Sequence, residues 1–355
     1  MGIARGRFVI DTHVHAQRHA VKWKERGIKP SYSELAAQMR WSNEIEVYEN
    51  TGRLLYDMER YGVDMCVIMP AFAMTDELNG KIVQQYPDKF IAMCYGTKYW
   101  RRVANGELEW SIKDFCTELD ELFSSGLYRG GIGEGLPYNP SPKKPFVWEE
   151  RFEEICQMVE VARKHKVPVS YHTGSPTGYG GSLQRGRMGK VRMDWGEPLL
   201  AHDIAATFPD VPIIMHHGGM EAWWSEMYMD PTFQVTGSHA NVYLQCGCYW
   251  AELYEKPLRD PNIGVEKLIW GTDWGASNPQ QWWPGGKPTT YVDQSRRDGI
   301  PAHQVDFFGW SLRQVDKLDI PQDDLNLILG GNAVRVFRLE DKVPFKRLFK
   351  EFFRM

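Results

Sequence analysis

Short apolar runs alternate with longer amphipathic segments along the chain. Eight runs have the length and composition of buried strands: FVI from Phe8, MCVIMP from Met65, FIAMCYG from Phe90, YRGGIGE from Tyr128, VPVSYH from Val167, VPIIMHH from Val211, NVYLQC from Asn241 and KLIWGTD from Lys267. Helical spacing of apolar residues is found between them, in NTGRLLYDMERYG from Asn50, WEERFEEICQMVEVARKHK from Trp148 and PLLAHDIAATFP from Pro198. This alternation predicts an α/β protein with a (β/α)8 TIM barrel rather than an open sheet.

A single domain over residues 1–355 is expected, because no internal repeat or low-complexity tract divides the chain. Two segments, 174–196 and 276–300, are too long and irregular to be plain connections. Both follow predicted strands, and the loops after the strands of a (β/α)8 barrel form its catalytic face. We therefore expect both segments to lie over the mouth of the barrel.

The charge and composition of the chain narrow the range of its partners. Lys and Arg number 42 against 46 Asp and Glu, a net charge of −4, which does not favour general binding to nucleic acid or to a membrane surface. No apolar run reaches the roughly 18 residues of a membrane span, and the first residues lack the apolar core of a signal peptide. The six dispersed cysteines suit reduced thiols. These features predict a cytoplasmic protein with a small-molecule substrate.

Residues that suit a metal ion close four of the predicted strands. His13 and His15 are two positions apart, so on a strand their side chains point to the same side. His172, His216 and Asp273 close three further apolar runs. One such histidine pair alone is more often part of a hydrogen-bonded core. Five imidazole and carboxylate groups at strand ends, where barrel enzymes carry their chemistry, instead predict a metal site.

The motifs DTHVHA, YHTG, MHHGG, GTDWG and GGNAVRVF resemble those of the amidohydrolase superfamily over nearly the whole chain. In sequence character, these motifs resemble those of the branch that contains aminocarboxymuconate-semialdehyde and resorcylate decarboxylases. The resemblance implies a barrel of the metal-dependent-hydrolase type. It also implies a set of metal ligands: His13, His15, His172, His216 and Asp273. His217, which follows the strand-end histidine, is then expected to pack beside the site.

Glu134, in the stretch GGIGEGLPY, departs from the pattern of those decarboxylases. The stretch resembles the IGE motif of TatD-type nucleases, in which the glutamate is a metal ligand. A carboxylate has two oxygens and can bridge metal ions about 3.5–4 Å apart. The resemblance therefore implies a dinuclear site with two divalent ions, zinc, iron or manganese. The alternative is a glutamate that only orients a metal-binding histidine.

Candidate substrate-binding residues lie in the long loops and next to the last motif. Arg185 and Arg187 belong to SLQRGRMGKVR, and guanidinium groups suit a substrate carboxylate or phosphate. The alternative for this segment is a solvated charged loop. Trp274, directly after Asp273, is a candidate for the wall of the same mouth.

Three reactions are compatible with these residues. The preferred one is hydrolysis of a small carboxylate-bearing substrate by a metal-bound hydroxide, with Glu134 and Asp273 as catalytic residues. Non-oxidative decarboxylation is the reaction of the decarboxylase branch. The third is monooxygenation at a dinuclear non-haem iron site, similar to that of the 2-aminoisobutyrate hydroxylases, which need a related subunit and electron-transfer partners. A non-catalytic subunit is disfavoured, because no candidate ligand is missing from the sequence.

Aromatic residues in the loops and in the C-terminal tail VPFKRLFKEFFRM predict association with another chain. The expectation is a homo-oligomer or a heteromer with a related chain. Phe345, Phe349, Phe352 and Phe353 of the tail would pack on the partner or fold back on the barrel.

Overall fold

The structure, a computed structural model, describes residues 7–21, 45–70, 74–136, 147–173, 197–220, 226, 228–275 and 307–343. Eight parallel strands form one sheet in the order β1 (Ile10–Val14), β4 (Met65–Ile68), β5 (Phe90–Cys94), β6 (Tyr128–Leu136), β7 (Val169–His172), β8 (Ile213–His216), β9 (Val242–Gln245) and β10 (Leu268–Ile269). Each strand overlaps one of the eight predicted runs. A separate antiparallel pair, β2 (Gln17–Val21) with β3 (Ile45–Glu49), was not predicted.

The sheet closes between β1 and the segment that follows β10. The backbone amide of Thr12 donates to the carbonyl of Trp270 at 3.1 Å, and the amide of His15 donates to the carbonyl of Trp274 at 2.8 Å. A parallel bridge also joins Val14 to Trp274. Within the described residues, these contacts bring the two ends of the sheet together, as in a nearly closed barrel. The predicted (β/α)8 TIM barrel is therefore confirmed.

Helices connect the strands, and the three predicted helical patterns are present. They form Thr51–Tyr61, Trp148–His165, and Pro198–Leu200 continuing into Ala201–Thr207. The other α-helices among the described residues are Asp76–Gln85, Thr97–Ala104, Ile112–Ser124, Met229–Ser238, Glu255–Arg259, Phe307–Asp316, Gln322–Asn326 and Asn332–Phe337. In Trp148–His165 the buried residues recur at helical spacing: Ile155, Met158, Val159 and Ala162. This apolar stripe explains why the segment forms a helix on the outside of the sheet.

The barrel interior is apolar at one end and polar at the other. Met65, Val67 and Ile214 pack inside the barrel with Phe337 from the last helix. The segment Leu327–Gly331 before this helix lies against the residues that precede β1, because a Cβ on Gly330 would stand 1.9 Å from the carbonyl oxygen of Phe8. Apolar side chains therefore fill the barrel at the N-terminal ends of the strands, and the polar residues described below lie at the C-terminal ends.

Several expectations concern residues outside the described ranges. The segments 174–196 and 276–300 and the C-terminal tail belong to this group, so their positions and the single domain over 1–355 stay predictions. Within the described ranges, no helix combines the length and the apolar character that a membrane crossing requires.

Candidate metal centre

Three predicted ligands come together at the C-terminal end of the barrel. The Nε2 atoms of His13 and His15 lie 3.1 Å apart. Asp273 Oδ1 lies 3.1 Å from the Nε2 of His15 and 3.6 Å from the Nε2 of His13. The two histidine side chains are fully buried, and the side chain of Asp273 is 9% exposed. The barrel therefore joins the start of the chain to a residue that follows its last strand.

The spacing of these three atoms suits one metal ion. Metal bonds of about 2.0–2.2 Å to histidine nitrogen or carboxylate oxygen place neighbouring ligand atoms about 2.8–3.6 Å apart in octahedral or tetrahedral geometry. The three separations of 3.1, 3.1 and 3.6 Å fall within that range. The donor set is also one that zinc, iron and manganese accept. The residues present therefore fit a single divalent ion.

Hydrogen bonds on the far side of the imidazoles direct their lone pairs inward. His15 Nδ1 lies 3.0 Å from the carbonyl oxygen of Met69, which can only accept. In the neutral imidazole, the form that binds a metal ion, the proton of His15 is thus on Nδ1 and the lone pair is on Nε2. His13 Nδ1 lies 2.9 Å from Oε1 of Gln245. With both Nε2 atoms turned towards a carboxylate oxygen, a cation between them would replace repulsion by attraction.

Asp11 hydrogen-bonds to both segments that carry the cluster, the one at His13 and the one before Asp273. Its Oδ1 accepts the backbone amides of His13 at 2.9 Å and of Thr272 at 3.1 Å, and its Oδ2 accepts the hydroxyl of Thr272 at 2.6 Å. Burial raises the pKa of the Asp11 carboxyl to about 7, although the hydrogen bonds from Thr272 and His13 act in the opposite direction. One buried carboxyl group thus fixes the backbone at His13 and beside Asp273.

Three non-glycine residues near the site adopt left-handed backbone conformations. They are Ile132 in β6, His217 after β8 and Asp273 after β10, with φ of 61°, 59° and 58°. Such a conformation is most unfavourable for the β-branched Ile132. Strained residues of this kind persist where the surrounding structure holds them, and they concentrate at functional sites. His217 and Asp273 follow their strands at the end of the barrel that carries the cluster, whereas Ile132 lies within β6.

The other predicted histidines surround the three-residue cluster. His172 and His216 are register partners on β7 and β8. The ring of His216 lies 4.5 Å from that of His13, and the ring of His172 lies 4.8 Å from that of His217. Among the described residues, the group with metal-ligand spacing contains neither His172 nor His216. Their roles as ligands stay predictions.

Glu134 lies in an irregular part of β6. Gly131 pairs with Val169 and Leu136 pairs with Tyr171, so five residue steps on β6 match two on β7. The intervening backbone is thus a β-bulge or a similar irregularity, a feature that is common beside active sites. The side chain of Glu134 is outside the described part of the structure, and its metal-bridging role stays a prediction.

The candidate substrate-binding residues have different outcomes. Trp274 is 3% exposed, its Nε1 donates to Oδ2 of Asp57 at 3.2 Å, and its ring stacks on Phe308. These contacts fix Trp274 between the barrel and the helix Thr51–Tyr61, and contact with a substrate stays a prediction. Arg185 and Arg187 lie outside the described residues.

Two residues of the site were not singled out in the sequence. Asp11 is in the same alternating series as His13 and His15, and Gln245 is the polar residue that ends the apolar run NVYLQC. Both carry the signal by which the other site residues were recognised, namely a polar group on the inward side of a strand end.

Solved structures with the same fold include enzymes of two kinds. A dihydroxybenzoic acid decarboxylase from Polaromonas sp. JS666, with bound manganese and the inhibitor 2-nitroresorcinol, has a TM-score of 0.54 and 13% identity over 96% of this chain and 100% of that one. A 2,6-dihydroxybenzoate decarboxylase from Rhizobium has a TM-score of 0.53 and 12% identity, covering 94% and 99%. A probable 2-pyrone-4,6-dicarboxylic acid hydrolase from Acinetobacter baumannii, with citric acid bound, has a TM-score of 0.51 and 13% identity, covering 93% and 99%.

Sequence comparison supports the same relationship more directly. No curated protein sequence matches the chain. The amidohydrolase family model, in contrast, matches residues 133–339, more than half of the chain. This range includes β7, β8 and Asp273. In the structure, Asp273 lies beside His13 and His15, so the matched range and β1 form one site. The chain therefore belongs to the amidohydrolase family.

Proposed function

We propose that this protein is a metal-dependent decarboxylase that removes CO₂ from a small organic acid without oxidation. The observation that carries the proposal is the group formed by His13, His15 and Asp273, whose spacing suits one ion. A three-ligand set leaves coordination positions for a substrate. We assign one ion to decarboxylation, in which the ion anchors the substrate acid, whereas a dinuclear reaction needs a further set of ligands.

A bound divalent ion would supply the positive charge that anchors the substrate acid at the cluster. His13 and His15 are fully buried and are suited to holding the ion. Asp273 is the cluster member with an exposed fraction, 9% of its side chain, so it is the one that can reach a reacting carbon. We assign to its carboxyl group the delivery of the proton. The carbon–carboxylate bond breaks, its electron pair stays on the substrate carbon, the carbon takes the proton, and CO₂ leaves.

For the substrate class, we propose hydroxylated aromatic acids. The support is the fold shared with two dihydroxybenzoate decarboxylases, one of them with bound manganese. Manganese suits a site with imidazole and carboxylate ligands, and we propose it as the ion used. Arg185 and Arg187 remain the candidate side chains for a second acidic group of the substrate.

Hydrolysis at a dinuclear site is the second candidate, and the bulge in β6 favours it. The bulge contains Glu134, which in this case would bridge the ions, with His172 and His216 beside the second one. The hydrolase among the structures of the same fold is compatible with this reaction. None of the three structures described above is an oxygenase, so they do not support the oxygenase alternative. Electron-transfer partners are expected only for that alternative. Oligomerisation stays a prediction.

The two reactions are separated by following the atoms that enter the product. We would incubate the manganese-loaded protein with a panel of hydroxybenzoic acids and other small carboxylic acids. Decarboxylation predicts release of CO₂ and one deuterium on carbon when the reaction runs in D₂O. Hydrolysis predicts ¹⁸O from labelled water in the product and no CO₂. His202→Ala serves as a control, because His202 is a surface histidine whose Nδ1 faces His239 and not the cluster. Labelled oxygen without CO₂ would refute the decarboxylase proposal.

A further inference from the structure

The side-chain amide of Gln245, at the end of β9, contacts two other segments of the barrel, β1 and the turn after β8. Its Oε1 lies 2.9 Å from Nδ1 of His13 and accepts the backbone amide of His217 at 3.1 Å. Its Nε2 donates to Oγ1 of Thr12 at 3.4 Å. Gln245 itself is completely buried. A buried amide that joins β1, β9 and the turn after β8 is placed to control the geometry at His13.

The orientation of this amide is determined by partners that have one possible role each. The backbone N–H of His217 can only donate, so the atom it contacts must be the amide oxygen. On the other side, the hydroxyl of Thr12 donates to the carbonyl of Trp270 at 2.9 Å. Its oxygen is then free to accept from the NH₂ of Gln245. Both ends of the chain of hydrogen bonds therefore require Oε1 to face His13.

This orientation decides the tautomer of His13. Because Oε1 can only accept, Nδ1 of His13 must carry a proton, and in the neutral imidazole that binds a metal ion the lone pair is then on Nε2. Nε2 is the atom that lies 3.1 Å from Nε2 of His15 and 3.6 Å from Oδ1 of Asp273. The wrong tautomer would aim an N–H group at the position of the ion.

The neighbouring backbone leaves a space that the amide of Gln245 fills. A Cβ on Gly271 would stand 2.7 Å from Nε2 of Gln245 and 2.7 Å from Oγ1 of Thr12. Glycine at this position, directly before Thr272 and Asp273, thus permits the hydrogen bonds that orient the amide. The amide of Gln245 therefore lies where four segments meet: β1, β9, the turn after β8 and the segment at Gly271.

We propose that Gln245 is a positioning residue for the metal centre, acting through the tautomer of His13 and the backbone of His217. The inference rests on the proposed metal ion and not on the proposed reaction. Residues that hydrogen-bond to the far nitrogen of a metal-binding histidine typically change metal affinity about 10–100-fold when they are removed. Gln245 should act in this range without touching the substrate.

Metal affinity tests this inference independently of turnover. We would titrate Mn²⁺ into the full-length protein and quantify the free ion by its electron paramagnetic resonance signal. Gln245→Met keeps the length of the side chain but removes the acceptor, and should weaken Mn²⁺ binding about 10–100-fold. Gln245→Glu keeps an acceptor for both His13 Nδ1–H and His217 N–H, and should bind Mn²⁺ within about threefold of the wild type by the same hydrogen-bond argument.

The matched control is Gln314→Met. Gln314 is a buried glutamine, 1% exposed, whose Oε1 accepts the backbone amide of Ala251 at 3.3 Å, so its loss reports general damage to the barrel. It should leave Mn²⁺ affinity unchanged. Wild-type affinity in Gln245→Met, or an equal loss in Gln314→Met or in Gln245→Glu, would overturn the positioning role. If the wild type itself takes up no Mn²⁺, the proposed function and the inference both fail. If Gln245→Met does not fold, Gln245→Leu replaces it as the variant without an acceptor: a loss of Mn²⁺ affinity of about 10–100-fold supports the positioning role, and wild-type affinity overturns it.

Discussion

Asp11 and Thr272 form two hydrogen bonds with each other across the closure of the barrel, one through the backbone amide of Thr272 and one through its hydroxyl. They are 261 positions apart in the chain. Since Asp11 also accepts the amide of His13, and Thr272 precedes Asp273, this pair sets the distance between two ligands of the proposed ion. The contact is thus both a barrel closure and a support of the metal centre.

Thr272→Val should lower both stability and metal affinity. The change keeps the shape and the backbone amide but removes the hydroxyl that donates to Asp11 at 2.6 Å. Leaving a buried carboxyl group without one hydrogen bond costs about 1–3 kcal/mol. Urea unfolding measures the first effect and Mn²⁺ titration the second. The control is Thr236→Val, also fully buried, whose hydroxyl donates within its own helix to the carbonyl of Thr232. Equal effects in the two variants would contradict a specific role for the Asp11–Thr272 pair.

Gly271→Ala should weaken metal binding although the added group is a single methyl. The new Cβ would stand 2.7 Å from both Gln245 Nε2 and Thr12 Oγ1, so the amide must shift and its hydrogen bonds must weaken. We expect a loss of Mn²⁺ affinity about as large as in Gln245→Met, on the order of 10-fold or more. Gly52→Ala, in the first turn of the helix Thr51–Tyr61, meets nothing within 4 Å and should leave affinity unchanged. Unaltered Mn²⁺ binding in Gly271→Ala would show that the amide tolerates displacement.

The carboxyl group of Asp76 should make stability depend on pH. Burial raises its pKa to about 7, while hydrogen bonds from Thr97 and Tyr95 act in the opposite direction. A folded-state pKa above the unfolded one means that the folded protein holds the proton more tightly. The contribution of Asp76 to the free energy of unfolding is fully present below the pKa that its carboxyl group has in the unfolded chain. It is lost as the pH rises through the folded-state pKa of about 7.

Asp76→Asn isolates this effect. We would measure the free energy of unfolding of wild type and variant at pH 5.5 and 8.5. The wild-type advantage over the variant should fall by about 2 kcal/mol between these values, because the Asn side chain does not titrate. Taking the difference removes other titrating groups, such as Asp11, from the comparison. A difference that does not change with pH would mean that burial of Asp76 does not raise its pKa.

Manganese should stabilise the folded protein through the histidine–aspartate cluster. An ion that binds only the folded state at 100 times its dissociation constant adds about 2.7 kcal/mol. Thermal unfolding with and without Mn²⁺ should therefore show a higher midpoint in the wild type. His15→Ala should lose the shift, because it removes one of three donors within 4.8 Å of one another. His202→Ala, at the surface, should retain it. A full shift in His15→Ala would place the ion elsewhere.

The number of metal ions tests the choice between one-ion and two-ion chemistry. The proposed decarboxylase predicts about one Mn²⁺ per chain, unchanged in Glu134→Ala, because the three-residue group does not require Glu134. Elemental analysis of purified, metal-loaded protein gives the ratio. Glu266→Ala, which removes an exposed carboxylate paired with Arg335, is the control for weak surface binding. A wild-type ratio near two that drops in Glu134→Ala alone would favour the hydrolytic alternative.

The sequence by itself determined the strands, the barrel and the identity of the candidate ligands. Buried parallel strands are short apolar runs, and helices on the outside carry apolar residues at helical spacing, so both are local patterns. His13, His15, His172, His216 and Asp273 were recognisable because each ends such a run. The antiparallel pair β2–β3 was missed, since QRHAV and IEVYE have mixed polarity and lie far apart in the chain.

Only the tertiary structure decided which of these residues face one another and which hydrogen atoms they carry. The tautomer of His13 depends on Gln245, 232 positions away, and that of His15 depends on the carbonyl of Met69. The left-handed backbone of Asp273 lies at the closure of the barrel, where the amide of the next residue, Trp274, donates to the carbonyl of His13. Local sequence determines periodicity and burial, whereas the direction of a lone pair is determined by partners that the fold brings in from distant strands.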